Sequence, residues 1–115
     1  MKHIIALFTL IILFTMITTA KDNKTAMTKN SPVIIDVRTQ QEFDGGNIEG
    51  SKLIPYDVIS SKIVDLVPNK ETKIILYCRS GRRSGIAQKT LQDLGYKNVE
   101  NYGSMESAKQ KLGIK

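Results

Sequence analysis

Residues 73–94, KIILYCRSGRRSGIAQKTLQDL, constrain the fold of this chain more than any other stretch. Ile74, Ile75, Leu76 and Tyr77 run without interruption into Cys78, the only cysteine. A short apolar run of this kind suits a strand buried on both faces, as in a parallel sheet. A loop of Arg, Ser and Gly follows; then Ala87, Leu91 and Leu94 recur at helical spacing, with Lys89, Gln92 and Asp93 turned outward. Strand, turn and helix in that order put Cys78 at the carboxyl edge of a sheet, where open α/β folds bind ligands.

The same alternation runs through the neighbouring sequence. Pro32 precedes VIIDV, residues 33–37, a second buried-strand pattern. Asp36 sits near its end, where an unpaired charge is costly, and Arg38 projects to the same side two residues on. Thr39 and Glu42 fit a capping box, and Gly45 and Gly46 stop the helix it starts. Residues 52–54 read as a brief strand closed by Pro55. Ile59, Ile63, Leu66 and Val67 form one helical face over residues 57–67, with Asp57 in its first turn and Pro68 beyond its end. Residues 99–102 suggest a last strand, and Ser104 caps a short helix running through Lys111. The pattern predicts βαβ units: one small α/β domain over residues 32–115, with a mostly parallel central sheet and helices on both faces.

The first 31 residues have another character. Met1, Lys2 and His3 lead into residues 4–17, all apolar or Thr, and then Thr18, Thr19 and Ala20. That layout predicts a signal peptide over residues 1–20, cut after Ala20. An uncleaved anchor is the alternative, since the stretch falls just short of the roughly 20 residues that span a bilayer. Residues 21–31 read as a flexible polar leader. Export to a periplasm is expected, with secretion or anchoring as alternatives, and no stable membrane span after cleavage. Cleavage would leave 95 of the 115 residues and remove only Lys2 from 17 basic side chains, so the net charge falls from +6 to +5. Export and the lack of an arginine stripe interleaved with aromatics argue against nucleic acid as a partner. Only Arg79, Arg82 and Arg83 cluster beside a residue with chemistry of its own. A monomer without cofactor or metal is expected.

Exported domains usually pair their cysteines, so a single one asks for a reason. An inert core thiol is the plain alternative. The loop Arg79, Ser80, Gly81, Arg82, Arg83 and Ser84 leads into a helix whose first amides lack intrahelical partners. Gly81 permits a positive φ, which lets successive amides curl into a nest around an anion. Lowering a thiol by about two units from a pKa near 8.5 requires roughly 2.7 kcal/mol. A helix N-terminus supplies about 0.3 to 2 kcal/mol. Amide hydrogen bonds and nearby guanidinium groups are expected to supply the rest. The only histidine, His3, lies in the segment lost on cleavage, so no Cys–His pair is available for papain-like acyl transfer, and little remains to bind a metal. Sulfur transfer fits these constraints. A thiolate attacks the outer sulfur of a sulfane donor, sulfite leaves as an anion, and a persulfide stays on Cys78.

The motifs VIIDVRTQQEF and GNIEGSKLIP resemble the opening signature of rhodanese domains, and YCRSGRRSGIAQKTLQDLGY resembles their active-site strand, loop and helix. The likeness spans residues 33–103 and is nearest to the single-domain, periplasmic, phage-shock type of thiosulfate sulfurtransferase. It implies a rhodanese fold, Cys78 as the persulfide-carrying nucleophile and the loop from Arg79 to Arg83, with Ser84 behind it, as the substrate cradle. It also implies thiosulfate as donor, with cyanide or a thiol as acceptor. Cysteine phosphatases place five residues between Cys and Arg; here Arg83 follows Cys78 after four, and Ser84 holds the next position. Asp36 and Arg38 are expected to pair and brace the loop from the neighbouring strand. Asn47 stands where many rhodaneses carry His, and no Trp follows Gly103. A carrier module that takes sulfur from one protein and hands it to another is the alternative from a different class.

Overall fold

The apolar run before Cys78 becomes β3 (Ile74–Cys78), buried at all five positions. The computed structural model describes residues 31–115, so the expected signal peptide and all of the leader but Ser31 lie outside the described residues. Around β3 the chain forms β1 (Val33–Asp36), α1 (Gln40–Asp44), β2 (Lys52–Leu53), α2 (Ile59–Leu66), α3 (Arg82–Asp93), β4 (Val99–Ser104) and α4 (Met105–Leu112). The strand order is β2-β1-β3-β4, and every neighbouring pair is parallel.

Alternation along the strands divides the core in two. Ile35, Val37, Ile74, Leu76 and Cys78 pack with Ile59 and Ile63 of α2 and Ala87 and Leu91 of α3. Tyr77 packs instead with Ile48 and with Ala108 of α4. Helices therefore cover both faces, as the buried strand patterns require. Burying each of these large aliphatic side chains is worth roughly 1.5 to 3 kcal/mol. The second cluster carries a polar seam. Tyr77 Oη accepts the Ile48 N–H at 3.0 Å and lies 3.0 Å from Ser51 Oγ, while Ser51 donates to Ile48 O at 2.6 Å.

Local signals place the helix ends. Thr39 Oγ1 accepts the Glu42 N–H, and Glu42 Oε1 accepts the Thr39 N–H, closing the capping box at the start of α1. Ser104 Oγ accepts the Ser107 N–H at 3.0 Å and starts α4. The helix expected over residues 57–67 begins later, at Ile59. A turn joining Val58 N–H to Pro55 O takes up Asp57, so no acidic residue lies in the first turn of α2.

The last strand differs from expectation in a way that matters for the site. It runs on to Ser104, and its register with β3 shifts between Leu76 and Cys78, so that Cys78 faces Ser104. Gly103, with φ 84°, lies within the shifted stretch.

Candidate active site

Cys78 ends β3, and its side chain is buried. The chain turns at once. Gly81, the N-cap of α3, has φ 96°, a conformation open to glycine and strained for other residues. That turn brings the Gly81 N–H back onto Cys78 Sγ at 2.9 Å. One helical turn further, Ser84 Oγ lies 3.3 Å from the same sulfur.

Burial pushes the Cys78 thiol up, but the Ser84 hydroxyl and the amides of Ser84, Gly81 and Ser80 outweigh it and hold the thiol below its ordinary value. The amide nest expected around the sulfur thus has Gly81 as its hydrogen-bonded member. The main added donor is the Ser84 hydroxyl, where guanidinium groups were expected.

The loop is clamped from β4. Asn101 Oδ1 accepts the Gly103 N–H at 2.9 Å and the Ser84 hydroxyl at 2.7 Å, and Nδ2 donates to Gly81 O at 3.2 Å. The two backbones are in close contact: a Cβ on Gly81 would sit 3.3 Å from Gly103 Cα.

The three loop arginines part ways. Arg83 reaches back to α1 and binds Glu42 with two bonds, Nη1 to Oε1 at 2.7 Å and Nη2 to Oε2 at 2.9 Å. Its hydrogen bonds hold the Glu42 carboxyl down at about 2, and Glu42 in turn raises Arg83. Arg79 and Arg82 are exposed, as is Ser80, and neither arginine has an ion-pair partner among the described residues. These two are the open cations of the loop.

Asp36 and Arg38 form the expected pair, with Arg38 Nη2 2.7 Å from Asp36 Oδ2 and Nε 3.0 Å from both carboxylate oxygens. The brace differs from the one expected. Arg38 Nη2 donates onward to Gly46 O at 2.7 Å, and the guanidinium lies 5.8 Å from the Tyr77 ring centroid. No hydrogen bond joins the pair to residues 79–84 among the described residues, because the alternation of the strands turns it toward the α4 side of the sheet. Asn47 Nδ2 makes a local bond to Phe43 O at 2.9 Å.

Sequence reasoning missed Asn101, Gly103 and the second role of Glu42. Asn101, a residue type depleted in strands, falls within the strand expected over residues 99–102, and Gly103 directly follows it; a glycine that proves to lie in a strand marks a bulge or a close backbone approach. The Glu42–Arg83 bond leaves no local trace. No group of His, Cys, Asp or Glu among the described residues could hold a metal.

Fold and site together define a small parallel α/β domain with a thiol held among hydrogen-bond donors where a central strand meets a helix. The Rhodanese-like domain family model matches residues 19–111. The thiosulfate sulfurtransferase PspE of Escherichia coli is 35% identical over 72 residues, 63% of this chain and 69% of that protein. The thiosulfate:glutathione sulfurtransferase of Saccharomyces cerevisiae is 32% identical over 99 residues, 74% of this chain and 71% of that one. A solved E. coli rhodanese with anions aligns with a TM-score of 0.65 at 32% identity, covering 67% of this chain and 91% of that chain. The chain belongs to the rhodanese-like sulfurtransferase family.

Proposed function

We propose that this chain is a thiosulfate sulfurtransferase working through a persulfide on Cys78. The observation that carries the reading is the convergence of the Gly81 amide and the Ser84 hydroxyl on a buried sulfur. Burial alone would favour the neutral thiol; donors arranged to overcome it favour a thiolate. The names of the E. coli and yeast relatives support thiosulfate as donor, and the yeast name supports a thiol as one acceptor.

In the first half-reaction the Cys78 thiolate attacks the outer sulfur of thiosulfate. The S–S bond of the donor breaks, and sulfite leaves with the bonding pair. No proton need move, which suits a site whose neighbours are amides and a hydroxyl. In the second, cyanide or a thiolate attacks the terminal sulfur and leaves as thiocyanate or a persulfide, and Cys78 regains its thiolate. Ping-pong kinetics follow.

Exposed Arg79 and Arg82 neutralise the incoming dianion, Ser80, Gly81 and Ser84 supply donors to sulfur, and Arg83 holds the loop to α1 through Glu42. That engagement also disfavours a phosphatase, whose loop arginine must be open to phosphate. Because Cys78 is buried, the loop has to part for the donor to reach it. We assign export to residues 1–20 on their basic head, apolar stretch and small residues; no helix among the described residues is long and apolar enough to cross a membrane.

Intact mass after thiosulfate exposure tests the mechanism. The wild type should gain one sulfur atom and Cys78→Ser none; equal masses end the proposal. Steady turnover of thiosulfate with cyanide supports the enzyme, whereas one burst of persulfide without turnover supports the carrier.

A further inference from the structure

The Ser84 hydroxyl has one proton and three acceptors within reach: Asn101 Oδ1 at 2.7 Å, Gly81 O at 3.1 Å and Cys78 Sγ at 3.3 Å. The orientation of the Asn101 amide is fixed by its other bonds. The Gly103 N–H can only donate, so the atom it meets is Oδ1, and Gly81 O can only accept, so the atom it meets is Nδ2. At 2.7 Å from a pure acceptor, Ser84 must be the donor. Its lone pairs then face the sulfur, an arrangement that accepts a bond from a neutral S–H and offers nothing to a thiolate.

We infer that Asn101 is a positioning residue that holds the Ser84 hydroxyl proton while Cys78 is a thiol and releases it to the sulfur when the thiol ionises. The cysteine proton leaves to solvent; Ser84 keeps its own and turns it from Oδ1 to Sγ. Asn101 Oδ1 retains the Gly103 N–H in both states, so the turn strands no buried group. Asn101 therefore competes with the thiolate for one donor and limits how far the thiol is lowered. The inference rests on the reading of Cys78 as the reacting thiolate.

The charged groups on the elements that pack against β3 and the cysteine loop are accounted for. Arg83 on α3 senses the charge on Cys78 and is tied to Glu42 of α1, with Tyr56 also nearby. Asp36 and Arg38 of β1 neutralise each other. Arg79 and Arg82 of the loop, Asp57 ahead of α2 and Glu106 at the start of α4 are exposed. β4 contributes neutral Asn101 and Ser104. Neutral substitution at residue 101 changes none of these charges.

The test is the pH profile of Cys78 alkylation by iodoacetamide in the full domain, with folding checked by urea denaturation. Of the bonds that Asn101→Ala removes, only the one from Ser84 belongs to the thiol state alone, so the profile should move down by about half a pH unit. Ser84→Ala removes a donor from the thiolate and should move it up by about one pH unit. In the Ser84→Ala background, Asn101→Ala should have no effect. A general loosening of the loop would instead move the Asn101→Ala profile up, and that result, or an equal downward shift without Ser84, overturns the inference. Should Asn101→Ala fail to fold, Asn101→Asp keeps the acceptor and grips the proton harder. Its upward shift must then be larger with Ser84 present than without it; equal shifts overturn the inference. Alkylation needs no sulfur donor, so a wild type inactive toward thiosulfate would end the proposed function and leave this result standing.

Discussion

Gly81 meets two demands at one position. Its φ of 96° turns the chain so that its own N–H points at Cys78 Sγ, and its lack of a Cβ lets the loop rest against the Gly103 backbone. Gly81→Ala should therefore cost about 1 to 3 kcal/mol through φ strain, lowering the urea midpoint. It should also raise the pH at which Cys78 alkylates, because the amide is displaced. An unchanged midpoint and an unchanged profile would show that the loop adapts freely. Half of this arrangement was legible in the sequence. A glycine three residues after a cysteine, between a strand pattern and a helix pattern, points to a left-handed turn on local grounds. Its partner Gly103 is legible only as a glycine directly after the strand expected over residues 99–102, since nothing local says which backbone will approach it. Ser84 was likewise visible as a loop residue, but its aim at the sulfur depends on where α3 begins.

Between elements, the Glu42–Arg83 bond joins α1 to α3 and so ties the first half of the domain to the cysteine loop. Glu42 serves both ends: Oε1 completes the capping box of α1 and also accepts from Arg83. The capping box was readable because its two residues are neighbours in sequence, while the contact with Arg83 arises only when the fold brings the start of α3 within side-chain reach of α1. Its pH dependence follows from the carboxyl's fall to about 2, against about 4.3 in the unfolded chain. A lowered carboxylate stabilises the fold fully above the unfolded value, and that contribution disappears as pH falls through the folded value. The side chains are 19% and 26% exposed, so solvent screens the pair, and its worth is about 1 kcal/mol. Glu42→Gln preserves the cap and removes the charge. Wild type should exceed this variant by about 1 kcal/mol at pH 7, and urea titrations at successive pH values should see the gap close between pH 5 and pH 2. A gap independent of pH would assign the effect to the cap instead.

At the scale of the whole molecule, the fold separates what holds the domain together from what tunes its cysteine. The all-parallel sheet was legible because its strands are short apolar runs with helical patterns between them. The place of Asp36 and Arg38 in it was not. Their shared side follows from the two-residue period, but which layer that side meets depends on strand order and register. In the structure Asp36 is fully buried, and Arg38 links it to Gly46 and to the face of Tyr77, on the side of the sheet that α4 covers. Removing one partner of a buried pair costs about 3 to 5 kcal/mol because the other charge stays buried. Against the 5 to 15 kcal/mol or so available to a domain, that is a large share. Arg38→Met should accordingly lower the urea midpoint severely. Arg38→Lys should recover little, since a single ammonium cannot reproduce the fork on the carboxylate together with the Gly46 bond. Asp36→Leu combined with Arg38→Met should be more stable than Arg38→Met alone, because no charge is then stranded. In every variant that still folds, Cys78 should alkylate with the wild-type pH profile, because the pair makes no hydrogen bond to the loop. A profile that moved with Arg38 would mean that the brace reaches the sulfur through Tyr77, and stability and reactivity would then share one network.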